Sequence, residues 1–295
     1  MAPNDFLDAR LDELKQGAFS RRALADFGTQ LWRSARASAA ARPDLRRELS
    51  WVRWLGLAAS LVVGAGMVAA GAPVAPALAA PVIWWLVLCA WVSVELGLVR
   101  HPITGAPSPA IGPANVMTLY RGWAAAPILV LGLALPKPSV LWVVLSILAG
   151  LTDLIDGTVA VRLHHESRLG RLLDPVLDAF FFSATAIGLA HFGLLPAWVA
   201  ALVVFRYFLP VFGGLALLFV RGRTLPVAHT PWGQRSTFAV SVSLLVTWMS
   251  SLLRLPVQVL LALYALTVLT MTLALLSILQ RSRDQRSRDQ RRGAP

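Results

Sequence analysis

Cysteine is nearly missing from this chain. Its 295 residues include one, Cys89, set inside an apolar run. An intrachain disulfide is excluded, and so is a metal cluster built on thiolates. Charge is scarce as well: Asp, Glu, Lys and Arg make up 14% of the residues, where a soluble domain carries about 25%. Within that small share the acids are outnumbered, 15 to 27, which leaves a net charge of +12. Such an excess points to nucleic acid or to anionic lipid head groups. The basic residues flank apolar stretches, so lipid is favoured and nucleic acid is not expected. The first fifty residues are too polar for a cleavable secretory signal.

What the chain has in quantity is apolar sequence: 57% of residues are hydrophobic and the mean hydropathy is +0.65. Eight apolar runs each approach the ~20 residues that a bilayer requires. They fall near Val52–Gly71, Val82–Val99, Val116–Leu135, Val140–Val161, Leu173–Leu194, Ala197–Val220, Phe238–Leu253 and Val257–Leu279. The fold expected is an all-α, polytopic membrane helix bundle of about eight transmembrane helices. Alternate connections hold Arg100, Arg162, Arg168, Arg171, Arg221, Arg223 and Arg235, while the others hold only Lys137 and Arg254. That asymmetry predicts both termini on the cytoplasmic side of the inner membrane. Residues 1–50 read as a basic, amphipathic cytoplasmic arm, with Ser20 as a helix N-cap. Residues 51–112 read as two further spans with a Pro- and Gly-rich linker, 113–280 as a six-helix core, and 281–295 as a basic tail repeating R-S-R-D-Q. Trp51, Trp54, Trp84, Trp123, Trp198 and Trp232 sit near span ends, as in an interfacial belt. Glu95 is expected to snorkel or to pair with Arg100, and His164 and His165, beside the acids, to be solvated loop residues rather than metal ligands.

The stretch from Asp153 to Asp178 carries the chemistry. Asp153, Asp156, Gly157 and Ala160 recur at helical spacing on one face, as do Gly170, Asp174 and Asp178 on a second helix. A short polar connection makes the two helices antiparallel neighbours, so four carboxylates converge. Crowded carboxylates repel, and they persist with cations or protons among them. Hard oxygen ligands suit Mg²⁺, Mn²⁺ or Ca²⁺ rather than zinc. Asn115, at the head of the third run, is a plausible N-cap. Arg121, inside that run, and Arg206, inside the sixth, each need an anionic partner.

These residues resemble the CDP-alcohol phosphotransferase (CDP-alcohol phosphatidyltransferase) family, whose pattern is D-x2-D-G-x2-A-R followed by G-x3-D-x3-D. Asp153, Asp156, Gly157, Ala160, Gly170, Asp174 and Asp178 match. Val161 stands where the family has Arg, with Arg162 next to it. The stretch from Pro113 to Arg121 is similar to the family's P-N-x-x-T-x-x-R, with Ala114 inserted, and it places Asn115, Thr118 and Arg121. Thr230 to Thr237 is similar to the family's G-K-x-K-T loop.

The resemblance implies two Mg²⁺ or Mn²⁺ ions on Asp153, Asp156, Asp174 and Asp178, with Asp178 also the catalytic base. It implies nucleotide and diphosphate contacts from Asn115, Thr118, Arg121, Gly157, Ala160, Arg162 and Gly170, and acceptor phosphate contacts from Arg206 and Arg235. The donor implied is CDP-diacylglycerol or another CDP-alcohol, with release of CMP and homodimers as the common assembly. Pro175, in L-G-x-x-L-D-P-x-x-D, is most like the phosphatidylglycerophosphate synthase branch and favours glycerol 3-phosphate as acceptor over inositol or serine. The rival reading is an ion-coupled membrane carrier; no second copy of the acidic motif supports it.

Overall fold

The computed structural model describes residues 14, 16–17, 19–96, 99, 108, 110–162, 167–221, 231–253 and 255–292. Within the helices, side chains at 31, 34–35, 38–39, 153–162, 214–215, 217–221, 231, 234, 251 and 277–292 fall outside that description.

Among the described residues every element is helical. In chain order these are α1 (Arg21–Ala40), α2 (Pro43–Ala69), α3 (Val74–Val94), α4 (Pro113–Ala134), α5 (Val140–Arg162), α6 (Arg168–His191), α7 (Ala197–Arg221), α8 (Pro231–Leu253) and α9 (Val257–Arg292). The all-α expectation holds, and each of the eight apolar runs becomes one helix from α2 to α9. Among the described residues, five helical segments are long and apolar enough to cross a membrane: α2, α3, α4, α6 and Val257–Leu276 of α9. The described apolar parts of α5 and α7 are shorter, Val140–Thr152 and Ala197–Gly213. Large apolar side chains face outward, with Leu55 at 73%, Val62 at 72% and Val140 at 81% exposure. Water does not tolerate so extensive an apolar surface on a monomer, whereas lipid does. A multi-pass membrane arrangement is what these helices suggest.

α4 is the central helix. It packs against α3, α5 and α6, while α2 pairs with α3, α6 with α7, and α8 with α9. Close approach of α4 to α6 depends on missing side chains: a Cβ on Gly132 would lie 2.8 Å from the Gly188 Cα. The α6–α7 seam is aromatic, with Phe182 stacked on Tyr207 at 4.6 Å and Phe180 edge-on to Phe208 at 5.4 Å. α5 meets α6 at the end remote from the acids, where Trp142 packs edge-on to Phe192 at 5.2 Å.

Three details differ from the sequence reading. α3 begins at Val74 rather than Val82, so Pro76 lies in its first turn and Pro81 inside it. A first-turn proline lacks only an N–H that would have no helical partner, which is why the helix can start there. Two tryptophans placed in an interfacial belt are instead wired between helices: the Trp84 indole N–H donates to the Gly122 carbonyl at 2.7 Å, and that of Trp123 to Ser60 Oγ at 2.9 Å. Trp51, Trp54 and Trp198 do stand outward. Finally, α9 runs on through the charged repeat to Arg292. Asp284 and Arg288 are four residues apart in the acid-first order that supports a helix.

Candidate active site

Two helices bring the described part of the site together. α6 starts at Arg168 with Ser167 as N-cap, whose Oγ accepts from the Gly170 N–H at 3.0 Å. Asp174 and Asp178 follow one turn apart, so both face α4. From α4, the Arg121 guanidinium is 1% exposed and puts Nε 2.8 Å from Asp178 Oδ1 and Nη2 3.9 Å from Asp174 Oδ1. One turn earlier on α4, Thr118 Oγ1 lies 2.9 Å from Asp174 Oδ1 and 3.1 Å from the Ala114 carbonyl, so its single proton serves one or the other. The Asp174 side chain is 39% exposed and that of Asp178 18%. One buried guanidinium thus faces two carboxylates that still reach the outside.

Asn115 is not the N-cap of α4; Gly112 is, without a side-chain cap. Asn115 sits in the first turn and is buried. Its amide donates to the Ile111 carbonyl and to Ser167 Oγ at 2.9 Å, and its carbonyl oxygen accepts from Ser167 at 3.1 Å. It therefore bridges the starts of α4 and α6. A Cβ on Gly170 would lie 2.7 Å from Asn115 Oδ1, which explains the glycine there by close approach. Sequence reasoning does not single out Ser167, although a serine just ahead of an apolar-periodic run is a helix-start signal.

Arg206, on α7, turns towards the first turns of α8. Nε donates to Ser236 Oγ at 2.8 Å; Nη2 donates to the Gly233 carbonyl at 3.1 Å and to Thr237 Oγ1 at 3.0 Å. Its guanidinium also lies over the Tyr207 ring at 4.2 Å. Arg235 is exposed and stacks over Trp232 at 4.8 Å. Both arginines therefore lie at the start of α8, and the α8 hydroxyls fix Arg206.

Asp153, Asp156, Gly157, Ala160, Val161 and Arg162 belong to α5, and their side chains lie outside the described residues, as do His164, His165, Arg221 and Arg223. Among the described residues no three His, Cys, Asp or Glu side chains gather at one point. The donor set on α6 nonetheless fits a hard divalent cation: two partly exposed carboxylates one turn apart, each an all-oxygen donor.

A model of the CDP-alcohol phosphatidyltransferase family matches residues 112–278, a stretch that begins at the α4 N-cap and includes Thr118, Arg121, Asp174, Asp178 and Arg206. Over 75 residues the chain is 35% identical to the Bacillus subtilis CDP-diacylglycerol–glycerol-3-phosphate 3-phosphatidyltransferase, covering 25% of this chain and 39% of that protein. It is 39% identical over 59 residues to the cardiolipin synthase (CMP-forming) of Streptomyces coelicolor, covering 20% and 27%. It is 36% identical over 84 residues to the human cardiolipin synthase (CMP-forming), covering 28% and 27%. These matched stretches span less than half of each relative's length. No solved structure matches the chain. The family match covers more than half of the residues and holds the acids of α6 together with the arginine that contacts them, and on that ground this chain belongs to the CDP-alcohol phosphatidyltransferase family.

Proposed function

We infer that the chain transfers the phosphatidyl group of CDP-diacylglycerol to an acceptor alcohol, glycerol 3-phosphate, and releases CMP. The observation that carries this reading is the contact of Arg121 with Asp178 and Asp174 inside the family stretch. The acceptor is supported by Pro175 and by the name of the Bacillus relative.

Asp178 is the base. Arg121 Nε stands 2.8 Å from its Oδ1 and holds it in place, and its partial exposure lets an acceptor hydroxyl reach it. The hydroxyl proton passes to Asp178. The freed oxygen pair forms a bond to the β-phosphorus, and the bond from that phosphorus to the bridging oxygen of CMP breaks, its electron pair leaving with CMP. Arg121 and Thr118 hold the two carboxylates in place, so the step is organised by positioning and by preset charge. Asp174 and Asp178, with Asp153 and Asp156 of α5, are the residues that would hold two Mg²⁺ or Mn²⁺ ions, which when bound offset the charge of the diphosphate and of departing CMP. The family resemblance assigns diphosphate contacts to Asn115, Gly157, Ala160, Arg162 and Gly170; of these, Asn115 acts through its bridge to Ser167 at the start of α6. Arg206, preset by Ser236 and Thr237, and Arg235 hold the acceptor phosphate.

In the membrane the acids face the cytoplasm, as the arginine distribution supports, and the donor tails stay among apolar helices. A cavity of about 170 Å³ between α5, α6 and α8, lined by Trp142, Phe181, Phe182, Phe238 and Trp248, begins one turn beyond Asp178 and is of matching chemistry. A second reading, cardiolipin formation with phosphatidylglycerol as acceptor, is favoured by the relatives named cardiolipin synthase. The test is CMP release from CDP-diacylglycerol by the purified chain in lipid–detergent micelles with Mg²⁺ or Mn²⁺. Glycerol 3-phosphate, phosphatidylglycerol, inositol and serine are supplied in turn. Release that requires glycerol 3-phosphate and vanishes in Asp178→Asn supports the first reading, and release only with phosphatidylglycerol supports the second. No release with any acceptor sinks both.

A further inference from the structure

Residues ahead of the family stretch hold its first helix in place. Glu48, in the second turn of α2, sends both carboxylate oxygens to the chain just before α4. Oε2 accepts from the Ile111 N–H at 2.8 Å and Oε1 from the Gly112 N–H at 3.3 Å. Gly112 is the N-cap of α4, has φ of 83°, and offers no side chain to cap with. Glu48 therefore supplies from α2 the anion that suits a helix N-terminus and that the local sequence lacks. Arg42 holds the preceding linker: Nη1 donates to the Val99 carbonyl at 2.9 Å and Nη2 to the Ser108 carbonyl. On either side of Glu48, Leu45 and Leu49 are buried, as is Ile111, so neither party to the clasp is free to swing.

From the clasp the contacts run directly into the site. The Ile111 carbonyl accepts from Asn115, Asn115 bridges to Ser167, and Ser167 caps α6. One turn further along α4, Thr118 meets Asp174, and Arg121 follows with Asp178. A small slide or rotation of α4 would move every one of these partners together, and such misplacement costs far more in a transferase that works by positioning than in a passive bundle.

We propose that Glu48, on the helix pair outside the family stretch, is a positioning residue for the transferase site: it fixes the register of α4 and so the affinity for the CDP-alcohol donor. This rests on the transferase reading above. A residue of merely structural importance would lower the yield of folded protein and leave the KM of the survivors unchanged.

The experiment uses the full chain in lipid–detergent micelles, wild type against Glu48→Gln and Glu48→Ala, with CDP-diacylglycerol varied at saturating acceptor. The glutamine keeps one oxygen acceptor and loses the charge; the alanine keeps neither. The expected result is a graded rise in donor KM, about threefold for Glu48→Gln and at least tenfold for Glu48→Ala, with kcat falling in the same order because the Arg121–Asp178 contact moves with α4, and acceptor KM unchanged. Amide hydrogen exchange over residues 111–118 should quicken in the same order. If Glu48→Ala yields no folded protein, Glu48→Gln decides by the same two readouts. Folded variants with wild-type donor KM and wild-type exchange overturn the proposal while leaving the transferase intact. A wild-type chain silent with every acceptor overturns the transferase reading, and the proposal with it.

Discussion

Replacing Arg121 by methionine isolates the energetic core of the site. The guanidinium is 1% exposed, and its Nε stands 2.8 Å from Asp178. At an effective dielectric of about 20, that separation corresponds to an attraction of about 6 kcal/mol, most of which offsets the desolvation of the two ions. The net effect of removing one partner is governed by the charge left behind, and breaking a buried pair costs about 3–5 kcal/mol. Asp178 keeps 18% exposure, so some water reaches it and the lower figure, about 3 kcal/mol, applies. The 3.9 Å contact to Asp174 adds little, because that carboxylate is 39% exposed and its attraction is screened. At about 2–4 °C per kcal/mol, Arg121→Met should lower the unfolding midpoint by about 6–12 °C. The assay is the loss of monodisperse protein on heating in micelles, read by size exclusion. Adding Asp178→Asn to Arg121→Met removes the buried carboxylate charge as well and should recover at least half of the loss, as a double-mutant cycle reads it. A single variant as stable as wild type, or a double variant no better than the single, would refute the claim that these side chains form a coupled buried pair.

Three other outcomes follow from the same geometry. Gly132→Ala places a Cβ 2.8 Å from the Gly188 backbone, which has no flexible end to move aside, and should destabilise by about 1–3 kcal/mol; an unchanged midpoint would show that α4 and α6 are further apart than described. Arg206→Lys loses the hydrogen bonds to Ser236, Gly233 and Thr237, and should raise the KM for glycerol 3-phosphate about tenfold, equivalent to about 1.4 kcal/mol, with donor KM unchanged; an equal rise in both would remove Arg206 from the acceptor side. Chelation should abolish CMP release and added Mg²⁺ or Mn²⁺ should restore it; turnover indifferent to a chelator would exclude the metal-bearing role of the aspartates.

The helices and the acidic face of α6 are legible in the sequence because both rest on periodicity. Apolar runs of spanning length show as long helices, and Asp174 and Asp178 share a face at any register of α6. Arg121 is legible for a different reason: a guanidinium inside an apolar run demands an anion, and the nearest acids supply it. What periodicity does not convey is which helix meets which. Trp84 and Trp123 look like interfacial residues in a linear reading, and only the packing of α3 and α2 against α4 gives their indole N–H groups acceptors. Asn115 has the residue type of a cap, yet the chain turns into α4 three residues earlier, at Gly112. Glu48 carries no motif at all; its partners lie 63 and 64 residues away, and nothing local marks it.

The indole bonds between helices bear on whether the catalytic stretch is a detachable cassette. Trp123, on α4, has its N–H satisfied by Ser60, on α2, and the Gly122 carbonyl receives Trp84 from α3. Excising residues 1–111 would leave a donor with no acceptor on a surface then turned to hydrocarbon, where each such group costs several kcal/mol. Swapping this stretch for that of a relative would therefore require re-matching polar seams within the bilayer, and a graft that respects only the junction at residue 112 should assemble poorly.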